Sequence, residues 1–428
     1  MNWIELPDLA AVALLAGAFA AVARRGHTAL SKLWLTGWLL IVLHFAGFLF
    51  LNEPGVWGKL AEVVGVLALA GAGLLFAWST VPYRKRKSSR WIFAALILSS
   101  TLYIVMLTGG LRTDWALTLV AVLFGALPLA IALASVKRLN HPLRWTLVGL
   151  YCALSIFLLF VQHRPGNGDA LALNAVMATV YTSCAIHFLH AYRRTTAGAF
   201  ITIFGFLSWA SVFVVGPAIL AYWPQIHVES GVWNLPKYVV AVGMILLLLE
   251  DQIEHNRHLA LHDYLTGLPN RRLFADRLTG ALERARRANA SAALLLIDLD
   301  HFKQVNDTLG HHVGDLLLQR VGRMFSARVR RSDTVARTGG DEFAVILEEP
   351  SSHEDAMRVG HSLMQLLHDP LDLDGKAVSI GASFGVAIFP EDAADAESLC
   401  IAADLRMYDK KIPRAGHEEA APANQTRA

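Results

Sequence analysis

The sequence predicts two fold classes in one chain: an all-α polytopic membrane region, followed by an α+β domain. Of the 428 residues, 54% are hydrophobic and 17% are charged, and almost all of the apolar excess lies before residue 250. After that point, short apolar runs typical of buried strands alternate with amphipathic helical segments. The first half is therefore too apolar for an average soluble protein.

Nine apolar stretches in the first half are predicted to cross a membrane, because most approach the roughly 20 residues that span the hydrocarbon core. They cover residues 8–23, 33–51, 60–79, 91–109, 115–134, 145–162, 170–190, 198–221 and 233–250. The segment before the first stretch carries Glu5 and Asp8 and no Lys or Arg. We therefore expect a retained span here rather than a cleaved signal peptide.

Basic residues in the loops indicate the orientation of these spans, because Lys and Arg favour the cytoplasmic side of short loops. Alternate loops carry most of them: Arg24, Arg25, Lys32, Arg84, Lys85, Arg86, Lys87, Arg90, Lys137, Arg138, Arg144, Arg193 and Arg194. The intervening loops carry mainly Lys59, Arg112 and Arg164. The pattern predicts an N-terminus outside and a cytoplasmic second half.

A few ionisable side chains lie within or near the predicted spans, where burial of charge is costly and often functional. Glu62, His187 and His190 are near span ends and can reach interfacial water. His44 lies deeper and is the better candidate for binding a ligand, a metal or haem. Tryptophans at the predicted borders suggest an aromatic belt: Trp34, Trp57, Trp78, Trp91, Trp115, Trp145 and Trp223.

The last span is predicted to continue into a signalling helix over residues 251–262. Apolar residues recur there at three- and four-residue spacing, with one polar position: Leu246, Leu249, Ile253, Asn256 and Ala260. Two heptads of this kind favour a helix that pairs two parallel chains. An ordinary capped linker is the alternative.

Residues 263–413 are predicted to form the α+β domain, with helices packed against a mostly antiparallel sheet. The predicted order is helix 271–288, strand 292–298, helix 313–328, a hairpin at about 334–347, helix 353–367, strands within 377–388 and helix 395–410. A polar loop is expected between the first strand and the second helix. Residues 414–428 are expected to be a flexible tail.

The predicted hairpin carries the sequence Gly-Gly-Asp-Glu-Phe at residues 339–343. Glycine at both turn positions tolerates positive φ and lets the backbone approach a phosphate, while the two carboxylates suit a hard cation. About forty residues upstream, the apolar strand ends in Asp298. An acidic turn without chemistry is the alternative for so short a pattern.

Four motifs in this order, within residues 263–272, 298–315, 339–343 and 403–411, resemble the GGDEF family of diguanylate cyclases. The resemblance covers about residues 255–413. It implies a palm-like fold shared with nucleotidyl cyclases and polymerases. It also implies condensation of two GTP molecules into cyclic di-GMP, with release of two pyrophosphates, at the cytoplasmic side of the bacterial inner membrane.

The resemblance also implies the roles of individual residues. The catalytic set is Asp298, Asp341 and Glu342; the ligands of Mg²⁺ or Mn²⁺ are Asp298, Leu299, Asp341 and Glu342; the GTP-binding set is Lys303, Asn306, Asp315, Gly339, Gly340 and Lys411. Whether Glu342 binds metal or deprotonates the 3′-hydroxyl stays open. Asp263 and Arg272 are expected to brace the start of the domain.

Asp315 also bears on the choice of base. A carboxylate can accept from both N1–H and the exocyclic amine of guanine, a pair of donors that adenine lacks. The alternative is that Asp315 caps a helix beginning at Leu316.

A feedback site is expected at Arg330 and Asp333, an Arg-x-x-Asp pattern that five residues separate from Gly339, the spacing at which the family binds its product. The alternative is a basic helix end. Arg358 is the nearest candidate for a second arginine. After Lys411 the chain departs from the family pattern, because Arg414 falls one place early and follows a proline.

The expected protein is thus a membrane-bound homodimeric enzyme. Its net charge of +3 comes mostly from the cytoplasmic loops, so no nucleic-acid partner is expected. The three cysteines share no ligand spacing. No second catalytic domain is expected. The alternative function is a non-enzymatic GTP or cyclic di-GMP receptor with a membrane anchor, which the intact motif residues disfavour.

Overall fold

The computed structural model describes residues 2–26, 29–81, 87–110, 113–134, 142–162, 168–192, 196–226, 228–350 and 352–411. Contacts divide the chain into two compact units, Met1–Ile253 and Glu254–Ala428. Each unit has its own hydrophobic core.

The described part of the first unit is helical. After a 3-10 turn at Trp3–Glu5 come α1 (Leu6–Gly26), α2 (Ala29–Phe48), α3 (Val56–Ser79), α4 (Lys87–Thr108), α5 (Asp114–Ala134), α6 (Pro142–Val161), α7 (Gly168–Ala191), α8 (Ala197–Tyr222) and α9 (Ser230–Leu261). Each predicted span coincides with one helix to within a few residues. The expected continuation beyond residue 250 is present, since α9 ends only at Leu261.

Six of the described helices are long and apolar enough to cross a membrane, judged by length and composition: α1, α2, α3, α7, α8 and α9. The apolar described parts of α4, α5 and α6 are shorter, at Phe93–Thr108, Asp114–Ala130 and Trp145–Val161. An all-α region with transmembrane character is therefore confirmed, while nine crossings stay a prediction.

Close helix contacts in this unit depend on small residues and buried hydrogen bonds. A Cβ at Gly73 on α3 would collide with Val180 on α7. One turn apart, Tyr181 donates to the Leu69 carbonyl at 2.9 Å and Cys184 to the Gly73 carbonyl at 3.0 Å. Such packing is typical of helices in lipid, where apolar burial alone gives little drive for association.

Trp34 does not belong to an aromatic belt, so that expectation is wrong. Its side chain is fully buried, stacks on Phe188 and donates its indole N–H to Ser79 Oγ at 2.7 Å. A buried indole needs such a partner. By contrast Trp57, Trp91 and Trp115 are largely exposed.

The second unit is α+β, as predicted. Its elements are α10 (Arg271–Ala288), β1 (Ala292–Asp300), α11 (Phe302–Leu309), α12 (His311–Arg328), β2 (Thr334–Gly339), β3 (Glu342–Glu348), α13 (His353–Gln365), β4 (Leu371–Leu373), β5 (Lys376–Val378), β6 (Gly381–Phe389) and α14 (Ala396–Lys411). The main sheet has the order β2-β3-β1-β6 with antiparallel neighbours. Strands β4 and β5 form a separate ribbon.

The polar loop expected after β1 is instead the helix α11. Phe302, Val305 and Leu309 recur at three- and four-residue spacing and pack against the main core of this unit. The polar residues between them hid this periodicity in the sequence.

Strand β1 lies inside the sheet and is covered on both faces. Leu295 and Ile297 contribute to the core shared with α12 and α13, while Ala292 and Leu294 contribute to the core shared with α10 and α14. On the second face α14 lies close against β6, because a Cβ at Gly385 would collide with its backbone. The sheet therefore holds the end of β1 in a fixed position.

Asp263 braces the start of the second unit through Arg337 on β2. Arg337 Nη1 donates to both Asp263 carboxylate oxygens at 3.0 and 3.1 Å, and Thr266 donates to the same carboxylate through its backbone and hydroxyl. The Arg337 backbone N–H donates to the Pro269 carbonyl at 2.9 Å, which brings the two segments together. Arg272 lies in the exposed first turn of α10.

The Asp263–Arg337 pair is expected to stabilise the domain above about pH 4. Burial acts to raise the pKa of Asp263, but hydrogen bonds from Thr266 and Arg337 outweigh it and lower the pKa. A lowered carboxyl pKa stabilises the fold above the unfolded value of about 3.9, and this stability is lost as pH falls through the folded pKa. We expect Arg337→Met to cost about 2–3 kcal/mol at pH 7 and less below pH 4.

Hydrogen exchange of the β1–β3 amides in the full-length protein measures this cost. The control is Arg284→Met, because the Arg284–Glu348 pair leaves 52% and 31% of its side chains exposed, against 13% and 16% for Arg337 and Asp263. We expect the control to cost less than about 1 kcal/mol. Equal costs for the two variants, or a cost that persists at pH 3, would contradict the assignment.

Candidate active site

The end of β1 and the start of β3 place two predicted site residues side by side. In the antiparallel register Asp298 faces Glu342, and the Leu299 N–H donates to the Asp341 carbonyl at 3.3 Å. Opposed residues on neighbouring strands have Cβ atoms about 5 Å apart. The fold thus brings Asp298, Asp341 and Glu342 to one edge of the sheet, although Asp298 is more than forty residues from the other two in sequence.

The turn between β2 and β3 uses its two glycines differently. Gly340 has a φ of 33°, in the region that favours glycine, whereas Gly339 does not have a positive φ and is the last residue of β2. Of the two glycines, Gly340 is thus the one that uses the tolerance for positive φ. Both glycines are exposed, and the Arg337 guanidinium holds the Gly340 carbonyl through donors at 2.9 and 2.7 Å.

The oxygen donors at this edge fit a hard divalent cation. Asp298 and Asp341 are half-buried, Glu342 is exposed, and Leu299 can contribute only its backbone carbonyl. Within the described residues, no three His, Cys, Asp or Glu side chains are already gathered as a metal cluster. This arrangement suits Mg²⁺, which usually takes one or two carboxylates and completes its shell with waters and substrate phosphate oxygens.

Asn306 lies against the residue that precedes Asp315, where α11 and α12 meet. The Asn306 side chain packs directly on Gly314, so closely that a Cβ there would collide with Asn306 Oδ1. Helix α12 begins at His311, with Gly310 as its N-cap, so Asp315 lies inside the helix. The alternative role of Asp315 as a helix cap is therefore wrong.

Of the two predicted lysines, the structure describes the side chain of Lys303 and not that of Lys411. Lys303 is exposed on α11, one residue after its start. Lys411 is the last residue of α14, and its side chain lies outside the described part of the chain, as do Pro413 and Arg414. Their roles in triphosphate binding stay predictions.

The predicted product site borders a cavity of about 440 Å³. Arg330, Asp333 and Arg358 all line it, so the structure brings the nearest second arginine to the expected pair. Helix α12 ends at Arg328, so Arg330 lies two residues beyond the helix, and its role stays a prediction. The Asp333 carboxylate also accepts from the Arg330 and Glu348 backbone N–H groups at 3.0 and 3.3 Å.

Sequence reasoning missed three residues near the site. Arg337 fixes the turn carbonyl of Gly340, and only its position two residues before Gly339 hints at this role. Arg271 and Asp404 line a cavity of about 620 Å³ together with Thr338 and Glu342. Arg271 and Asp404 lie in the first and last of the four motifs, yet nothing in their spacing shows that α10 and α14 converge beside the hairpin.

Comparisons with known proteins agree with this arrangement. A family model described as "Diguanylate cyclase, GGDEF domain" matches residues 260–416. The diguanylate cyclase TpbB of Pseudomonas aeruginosa is 40% identical over 180 residues, which cover 42% of this chain and 41% of TpbB. The bifunctional diguanylate cyclase/cyclic di-GMP phosphodiesterase MucR of the same species is 41% identical over 190 residues, covering 40% of this chain and 27% of MucR.

A solved structure of the TpbB GGDEF domain alone is 42% identical, with a TM-score of 0.34, and the match covers 35% of this chain and 88% of that one. The chain spans less than half the length of the two curated relatives, TpbB and MucR. The family match lies within the C-terminal unit, which carries the strand-end carboxylates and the glycine turn. Residues 260–416 of this chain are therefore a GGDEF domain.

Proposed function

We propose that the chain is a membrane-bound diguanylate cyclase that condenses two GTP molecules into cyclic di-GMP and two pyrophosphates. The observation that carries this proposal is the register of β1 with β3, which sets Asp298 opposite Glu342 beside the glycine turn. The nearby contact of Asn306 with the segment bearing Asp315 supplies a matching site for guanine.

The reaction forms two phosphodiester bonds. In each, the 3′-oxygen of one GTP attacks the α-phosphorus of the other, the bond to the bridging oxygen of the β-phosphate breaks, and pyrophosphate leaves. The 3′-hydroxyl loses one proton per bond, and Glu342 is positioned at the turn to accept it or to hold the cation. Mg²⁺ or Mn²⁺ held by Asp298, Asp341, Glu342 and the Leu299 carbonyl would neutralise charge on the phosphates.

Two copies are required, because each GTP must present its 3′-oxygen to the other. The C-terminal part of α9 supports a parallel pairing of chains. Its seam residues Leu249 and Ile253 are 38% and 65% exposed, and the helix continues without a break to Leu261. We propose a homodimer joined along this helix.

The first unit anchors the enzyme in the bacterial inner membrane. The six long apolar helices support a multi-pass anchor, and the basic loops support an N-terminus outside with the catalytic domain in the cytoplasm. GTP is available on that side. We also propose that the membrane region regulates the activity of the catalytic domain.

Replacement of the strand-end carboxylates tests the activity itself. Full-length protein in detergent with GTP and Mg²⁺ should yield cyclic di-GMP, and Asp298→Ala, Asp341→Ala or Glu342→Ala should lower turnover by roughly 10²-fold or more with the fold intact. The matched control is Glu349→Gln, an exposed carboxylate beyond the far end of β3. If wild-type protein binds GTP or cyclic di-GMP without turnover, the receptor alternative holds instead.

Asp315 is expected to select the base. Without its carboxylate the two guanine donors lose their acceptor, so Asp315→Ala should raise KM for GTP by roughly 10-fold, consistent with about 1–3 kcal/mol for an unsatisfied donor. The control is Asp307→Ala, an exposed carboxylate on α11 next to Asn306. Steady-state kinetics with GTP and ATP measure the effect. Unchanged KM and unchanged discrimination in Asp315→Ala would remove Asp315 from the base site.

The cavity at Arg330 is expected to bind the product. Guanidinium groups hold phosphate or the guanine acceptor edge, and a carboxylate takes guanine donors. The Arg330→Ala/Asp333→Ala double variant should relieve inhibition, and Arg358→Ala should weaken it, with initial rates little altered. Progress curves with added cyclic di-GMP measure this. The exposed neighbour Arg331→Ala is the control. Identical inhibition in all variants would leave the cavity without this role.

A further inference from the structure

A second cavity lies inside the first unit, at the end of the helix bundle where α1 begins. Its volume is about 240 Å³. The walls are mostly apolar and aromatic, with Phe48, Leu69, Met177, Trp209, Phe213 and Trp233 contributed by α2, α3, α7, α8 and α9. Four polar side chains also line it: His44, Asn174, Asn234 and Lys237. An apolar cavity with a few polar groups is the usual form of a small-molecule site.

Lys237 is the charged group of this cavity. Its side chain is only 7% exposed, and among the described residues no carboxylate lies within ion-pair distance of its ammonium. One N–H donates to Asn234 Oδ1, and the ammonium lies 4.5 Å from the Phe45 ring centroid and 5.9 Å from that of Trp209. An ammonium carries three N–H donors, and a buried charge is costly unless polar or anionic groups compensate it. Glu5 and Asp8 attract this ammonium from beyond ion-pair distance.

The acidic residues nearest to Lys237, Glu5 and Asp8, lie outside the wall of the cavity. Asp8 on α1 accepts from Asn234 Nδ2 and from the Tyr238 hydroxyl, both at 2.7 Å. Asn234 is therefore interposed between the Asp8 carboxylate and Lys237. Neither Asp8 nor Glu5 is among the described residues that line the cavity. The wall presents an ammonium and no carboxylate.

His44 contributes a second polar group. It is 6% exposed, its Nδ1 lies 2.9 Å from the Gly65 carbonyl, and its ring packs against Phe45 and Phe48. Because a carbonyl only accepts, Nδ1 is the donor in this contact. The contact fixes the ring within the wall of the cavity.

We propose that this cavity binds a small monocarboxylate with an apolar body, whose carboxylate pairs with Lys237 while its body lies among the aromatic side chains. The single ammonium matches one negative charge and disfavours a cationic ligand. At about 30 Å³ per water-sized group, the cavity holds about eight such groups, which suits an aromatic acid or a short fatty acid rather than a lipid. The site is independent of the nucleotide chemistry of the second unit.

Binding of benzoate and hexanoate to the full-length protein in nanodiscs tests the proposal, with benzyl alcohol as a neutral ligand of similar size. Calorimetry should show benzoate binding at least 10-fold tighter than benzyl alcohol. Lys237→Met should abolish this preference. The control Lys59→Met should leave it unchanged, because Lys59 is an exposed lysine in the first turn of α3.

A second variant keeps the test decisive if Lys237→Met does not fold. Val212 lines the cavity, so Val212→Phe should fill it and remove binding of both acids while Lys237 is retained. Equal affinity of wild-type protein for benzoate and benzyl alcohol would overturn the proposal. So would the absence of binding of either acid at 10 mM, or undiminished binding in folded Lys237→Met or Val212→Phe protein.

Discussion

The pairing register of β1 with β3 is the constraint on which the second unit depends. Side chains alternate between the two faces of a sheet, so a slip of one residue would move Leu295 and Ile297 out of one core and Leu294 into it. The same slip would separate Asp298 from Glu342. Apolar burial on both faces thus fixes the relative position of two acidic residues that water alone would not hold together.

The two units reach stability by different means. In the second unit, a separate apolar core covers each face of the sheet, and polar contacts such as Asp263–Arg337 hold loops against it. In the first unit, apolar side chains face one another and also the outside of the bundle, so packing relies on close approach of small residues and on buried donors such as Tyr181 and Cys184. The polar groups around Lys237 differ from these packing contacts because they line an internal cavity.

Much of this architecture could be predicted from the sequence. Hydrophobic length gave the helices of the first unit, and the strand ending in Asp298 with the glycine turn located the carboxylate edge. The failures have physical causes. Helix α11 was missed because its apolar face is only three residues wide, and the partner of Asp263 was missed because it depends on how β2 returns past Pro269. The Lys237 cavity draws on five helices, and no local pattern in the sequence describes their convergence.

The contact between Asn306 and Gly314 couples the stability of helix α12 to the position of the Asn306 amide. Gly314 is buried in α12, where glycine is a weak helix former, and its missing side chain is what leaves room for the Asn306 amide. Any larger residue there would gain helix propensity but displace the amide beside Asp315. Under the proposed guanine recognition, a change of base therefore involves a helix-packing position, where a gain in helix stability would displace the Asn306 amide.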